Sequence, residues 1–127
     1  FLTVPYLSSL DAQDLGSVAP GSAGLSLDDY IVTRADAALR AGCDGIIVSG
    51  SAIAACRRQF PSPVVIVSPG IRPAGSAMGD QKRAVDVAQA FAKGADYIVV
   101  GRPIRDAADP RAAAESIQAT IAGVFRD

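Results

Sequence analysis

The phrase Gly-x-Asp-x-Ile-x-Val occurs twice, as Gly42-Cys43-Asp44-Gly45-Ile46-Ile47-Val48 and as Gly94-Ala95-Asp96-Tyr97-Ile98-Val99-Val100. Each copy joins a glycine able to stop a helix to an apolar, largely β-branched run, the mark of a strand covered on both faces. The rest of the chain repeats that grammar. Phe1 to Tyr6 reads as a strand, followed by a Ser-, Asp- and Gly-rich loop from Ser8 to Gly24. Leu27 to Ala41 has apolar residues at Leu27, Ile31, Ala35, Ala38 and Leu39, one face of a helix, with Ser26 as N-cap and Gly42 past its end. Gly45 to Val48, Val64 to Val67 and Tyr97 to Val100 read as strands, and Ser51 to Phe60, Lys82 to Lys93 and Pro110 to Phe125 as helices. Asp109 is the expected cap of the last helix, with Pro110 at its first position. Four strands, each followed by a helix, predict an α/β (βα)4 unit over residues 1–127, its strands parallel because right-handed crossovers dominate. In such sheets chemistry gathers at the C-terminal strand ends, where Ser8, Ser49, Arg72 and Arg102 fall.

Composition removes several kinds of chemistry. The chain has no histidine, which excludes Ser–His nucleophiles and histidine-bound metals built from its own residues. Twelve basic against thirteen acidic residues leave a net charge of −1. No bulk attraction to nucleic acid or to an anionic membrane is therefore expected, and anion binding has to be local. No apolar run approaches the roughly 18 residues of a membrane span, and the opening run Phe1 to Leu7 lacks the basic leader of a signal peptide. Cys43 and Cys56, without CxxC spacing, read as reduced thiols of a cytoplasmic protein.

Two strand ends run into loops bearing glycine and arginine. Gly101-Arg102 follows the last strand: a missing Cβ lets a backbone N–H approach a phosphate, and a guanidinium can grip two of its oxygens. An arginine that reaches to the rim and pairs with Asp106 or Asp109 satisfies the same sequence. Pro69 to Arg83 forms a long loop with Gly70, Gly75 and Gly79 as flexible points and Arg72 and Gln81 as donors at its two ends. It reads either as a lid or as a solvated loop. Ser8 and Ser9, just after the first strand, offer hydroxyls either to a ligand or to a turn. Asp44 and Asp96 each precede a strand, on the face that serves stability, and Asp80 reads as an organiser of its loop.

The pattern Pro-Gly-Ile-Arg-Pro-x-Gly-x-x-x-Gly-Asp-Gln-x-Arg over residues 69–83, with Gly101-Arg102 beyond it, resembles the C-terminal signature of orotidine 5'-phosphate decarboxylases. The resemblance extends over essentially the whole chain. It implies the C-terminal (βα)4 half of a TIM (β/α)8 barrel, whose closed form has about 250 residues. A chain of 127 residues that begins at Phe1 is accordingly expected to be part of a longer one. By the same resemblance Gly101, Arg102, Arg72 and Gln81 contact the substrate phosphate, Pro69 at the start of the loop belongs to the substrate-binding residues, and Ser8 or Ser9 bonds the pyrimidine. Relatives usually have Leu-Thr-Ser where this chain has Leu7-Ser8-Ser9, and Thr-Pro where it has Val85-Asp86; Asp86 can cap the helix instead.

The implied reaction converts orotidine 5'-monophosphate to uridine 5'-monophosphate and CO2, without cofactor or metal, in a homodimer. Its Lys and Asp network comes from a D-x-K-x-x-D-I motif and from a Lys on an earlier strand, and neither occurs here. No catalytic residue is therefore assigned to this chain. Two other readings are a half-barrel that binds a phosphate or nucleotide without catalysis, and another phosphate-binding barrel enzyme, against which the Gly79-Asp80-Gln81-Lys82-Arg83 ending argues.

Overall fold

The computed structural model describes residues 1–22, 24–74 and 83–126. Four strands, β1 (Leu2–Thr3), β2 (Gly45–Ile47), β3 (Val65–Ser68) and β4 (Tyr97–Ile98), form one sheet in the order β1-β2-β3-β4. Every pairing is parallel, as the βα alternation predicts: Leu2 lies opposite Gly45, Ile46 opposite Ile66, and Val67 opposite Tyr97. Gly45 is required by close approach, since a Cβ there would lie 2.4 Å from the Val65 carbonyl oxygen.

Among the described residues six α-helices connect and flank the strands: α1 (Leu15–Val18), α2 (Leu27–Arg40), α3 (Ala52–Gln59), α4 (Val87–Ala92), α5 (Arg102–Arg105) and α6 (Pro110–Val124). Ser26 and Asp109 cap α2 and α6 as expected, accepting from the backbone N–H groups of Asp29 and Ala112. Gly42 and Gly94 follow α2 and α4 at φ +102° and +106°, in the left-handed region that a glycine occupies without penalty. The core joins the inner faces of these helices to one face of the sheet, with Ile31, Ile46, Ile53, Ile66 and Ile71 fully buried.

Several expected boundaries change, among them the strand expected over Tyr97–Val100, which keeps only Tyr97 and Ile98. The helix expected over Lys82–Lys93 begins at Val87: Val85 is drawn into a parallel bridge with Ile71, and Asp86 starts the helix through a capping box with Gln89. The strand expected over Phe1–Tyr6 shrinks to two residues, because Pro5 has no N–H to continue the ladder. Arg102, expected in a loop, opens the short helix α5, where Pro103 sets a helical φ.

Asp96 has the stabilising role expected of it. Its Oδ2 accepts from Arg57 Nη2 at 2.6 Å and from the Ile66 N–H at 2.8 Å. Arg57 also donates to the carbonyls of Gly94, Phe60 and Val64, stapling the N-terminal edge of the sheet. Asp44 lies at the same edge, where its N–H donates to the Phe1 carbonyl at 2.8 Å.

The other sheet face is exposed at the two edge strands, while Val67 near its middle is buried. Leu2, Tyr97 and Val99 are 47%, 63% and 53% exposed, and both edge strands lack an outer neighbour among the described residues. Apolar surface and unpaired strand edges of this kind drive association. Light scattering is expected to give a mass above the 12.9 kDa of one chain. A folded monomer that persists on dilution contradicts this.

The two cysteines are expected to differ in reactivity. Cys56 is fully buried, and burial above all, with a smaller contribution from the Asp28 charge, pushes its thiol up to about 11. At pH 8 its thiolate fraction is then on the order of one in a thousand. A thiol reagent should modify the half-buried Cys43 in the native protein and reach Cys56 only on unfolding. Two equal fast phases would contradict that order.

Candidate functional site

Because all four strands are parallel, their C-terminal ends lie along one rim. In order across the sheet that rim carries the turn after β1 with Ser8 and Ser9, the β2 end with Ser49 and Gly50, the β3 end from Ser68 to Arg72, and Gly101-Arg102 after β4. The segments containing Arg72 and Arg102 thus follow neighbouring strands. Ser8 and Ser9 belong to the far side, two strands from β3.

The β3 end is built to turn sharply. Ser68 is buried and its hydroxyl donates to the Pro69 carbonyl at 3.3 Å, and Gly70 adopts φ +72°. The chain then bridges Val85 at Ile71, and the Arg72 N–H donates to the Val85 carbonyl at 2.9 Å. These contacts pinch the base of the segment that leaves at Arg72 and returns at Val85. Arg72 itself is only 9% exposed, and its Nη1 donates to the Ile71 carbonyl at 2.7 Å. Gln81, the donor expected at the other end of this loop, lies outside the described residues, as do Gly75, Gly79, Asp80 and Lys82.

At the β4 end a Cβ on Gly101 would meet nothing within 4 Å, so open space adjoins the backbone there. Arg102 is half-buried in the first turn of α5. One turn on, Asp106 takes a forked bond from Arg105, with Nε–Oδ1 at 2.5 Å and Nη2–Oδ2 at 2.8 Å. That bond is the main reason the Asp106 carboxyl is held below its usual range, and the Arg102 charge adds to it. Asp109 accepts from the Ala112 N–H as the α6 cap.

One rim residue received no role in the sequence reading. Arg83 donates from Nε to the Leu10 carbonyl and from Nη2 to the Leu7 carbonyl, both at 2.8 Å, and from Nη1 to the Ser49 carbonyl at 3.4 Å. Its guanidinium carbon also lies 5.4 Å from the centre of the Tyr6 ring. The only local signal was an arginine placed directly before the apolar pair Ala84-Val85. Beside it, the buried hydroxyl of Ser49 has no hydrogen-bond partner among the described residues.

Comparison with known proteins gives this rim a context. The sequence profile of the family described as "Orotidine 5'-phosphate decarboxylase / HUMPS family" matches residues 2–117. An orotidine 5'-phosphate decarboxylase of Methylococcus capsulatus is 49% identical over 127 residues, 98% of this chain and 50% of the relative. One from a Methylobacterium species is 50% identical over 121 residues, 95% of this chain and 50% of the relative. The crystal structure of orotidine 5'-phosphate decarboxylase from Lactobacillus acidophilus superposes with a TM-score of 0.72 at 30% identity, over 94% of this chain and 47% of that one. The chain therefore spans about half the length of the curated relatives it matches, and its open parallel sheet corresponds to half of a β/α barrel. On the profile match and the near-complete alignment with these relatives, the chain belongs to the orotidine 5'-phosphate decarboxylase / HUMPS family.

Proposed function

We propose that residues 1–127 form one half-barrel unit that supplies the phosphate- and base-holding side of an orotidine 5'-phosphate decarboxylase. The observation that carries this reading is the placement of Pro69 to Arg72 and Gly101-Arg102 at the ends of two hydrogen-bonded neighbouring strands. Arg102 and Arg72 hold the phosphate of orotidine 5'-monophosphate, with the open backbone at Gly101 giving it room and Gln81 as a further donor. Ser8 and Ser9 bond the pyrimidine edge. The reacting carbon belongs to Lys and Asp residues that this chain does not contribute. Remote phosphate contacts supply binding energy that the complete enzyme uses at the reacting centre. The complete enzyme works in the cytoplasm as a homodimer. Among the described residues no helix is long and apolar enough to cross a membrane.

Calorimetry of this chain with uridine 5'-monophosphate (UMP), ribose 5-phosphate and uridine tests the reading. UMP should bind more tightly than either of its parts, because both ends of the rim then contribute. Uridine binding as tightly as UMP would remove the phosphate site, and no binding of any of the three would remove the reading altogether.

A further inference from the structure

Arg83 ties together parts of the rim that are remote in sequence. Its partners at Leu7 and Leu10 lie 76 and 73 residues away, and these two carbonyls bracket Ser8 and Ser9. The turn's internal support is one backbone bond, from the Leu10 N–H to the Leu7 carbonyl at 3.1 Å. A single planar guanidinium that donates to both ends of such a turn fixes its span, and the third bond, to Ser49, fixes the turn against the end of β2. Gly50 shows how tightly this is built, since a Cβ there would lie 3.1 Å from the Arg83 Cβ. Tyr6, buried under the guanidinium, closes the other side and donates its hydroxyl to the Asp11 carbonyl at 3.0 Å.

We propose that Arg83 is a positioning residue for base recognition: it holds the Leu7–Leu10 turn so that the Ser8 and Ser9 hydroxyls face the pyrimidine, and takes no part in holding the phosphate. This rests on the reading of Ser8 and Ser9 given above. All three of its guanidinium nitrogens donate to carbonyls of the β1 and β2 ends, two strands and one strand away from β3. Burial lowers its proton affinity, as expected of a guanidinium taken from water and committed to neutral acceptors.

The test compares the parent with R83Q and R83K, using UMP and ribose 5-phosphate as ligands and amide hydrogen exchange at Leu10 as a ligand-free readout. R83K keeps the charge over Tyr6 but has one nitrogen where the fork had three, so it serves if R83Q fails to fold. In the folded variant the UMP dissociation constant should rise about tenfold, the scale of one lost hydrogen-bonding group, while that for ribose 5-phosphate stays within about twofold. Exchange at Leu10 should quicken in parallel. Equal losses for both ligands would overturn the proposal by placing Arg83 in the phosphate site or in general stability, and unchanged UMP affinity would overturn it directly. A parent that binds UMP no better than ribose 5-phosphate defeats the base-recognition reading itself and the proposal with it, a pattern that needs no variant to detect.

Discussion

Replacing Arg102 by alanine is expected to weaken UMP binding by about 2 to 4 kcal/mol, on the order of 30- to 1,000-fold. The size follows from what is removed: a partly buried guanidinium able to place two N–H groups on one phosphate, at a rim where burial limits screening by water. Arg102 stands in the first turn of α5, held by Pro103 beside it, so the side chain starts from a fixed backbone. The substitution leaves the cap of α6 at Asp109 and the Arg105–Asp106 pair in place. R102K, which keeps the charge and loses the fork, should fall between parent and alanine variant. Calorimetry with UMP on folded samples decides the matter, and equal affinity for R102A and the parent removes Arg102 from the site.

The parts of this architecture that were legible in the sequence are those fixed by local chemistry. The two Gly-x-Asp-x-Ile-x-Val phrases mark β2 and β4 because a left-handed glycine, a short turn and a β-branched run each act within a few residues. The caps at Ser26 and Asp109 are equally local. What escaped was set by contacts across the chain. Arg83 to Asp86 look helical until Val85 is claimed by Ile71, fourteen positions away, and only then does Asp86 become the cap. The role of Arg83 depends on carbonyls more than seventy residues distant, and a backbone carbonyl leaves no trace in residue type. The short helices α1 and α5 were missed for a related reason: at four residues each they lack the periodicity that signals a helix. At the site, the order of the strand ends followed from the βα pattern, whereas the burial of Arg72 against its own backbone did not.

This chain by itself is expected to show no decarboxylation of orotidine 5'-monophosphate above the uncatalysed background. Breaking the carbon–carbon bond to the carboxylate leaves a carbanion on the pyrimidine that must receive a proton, and general-acid delivery needs a donor within hydrogen-bond reach of that carbon. The sequence offers two lysines and no histidine. Lys93 ends α4 and precedes β4, at the opposite edge of the sheet from Arg102. The intervening strand, at roughly 3.3 Å per residue, keeps it from the rim. Lys82 lies outside the described residues. Supplying the half of a curated relative that this chain does not match, as a separate polypeptide, should restore some turnover by adding the Lys and Asp residues and covering the exposed Tyr97 and Val99 face. The assay follows the absorbance of orotidine 5'-monophosphate with each polypeptide alone and with both together. Turnover by this chain alone, in material shown by mass spectrometry to be free of longer enzyme, would move the acid to Lys82 or Asp80, and K82A and D80N would then locate it.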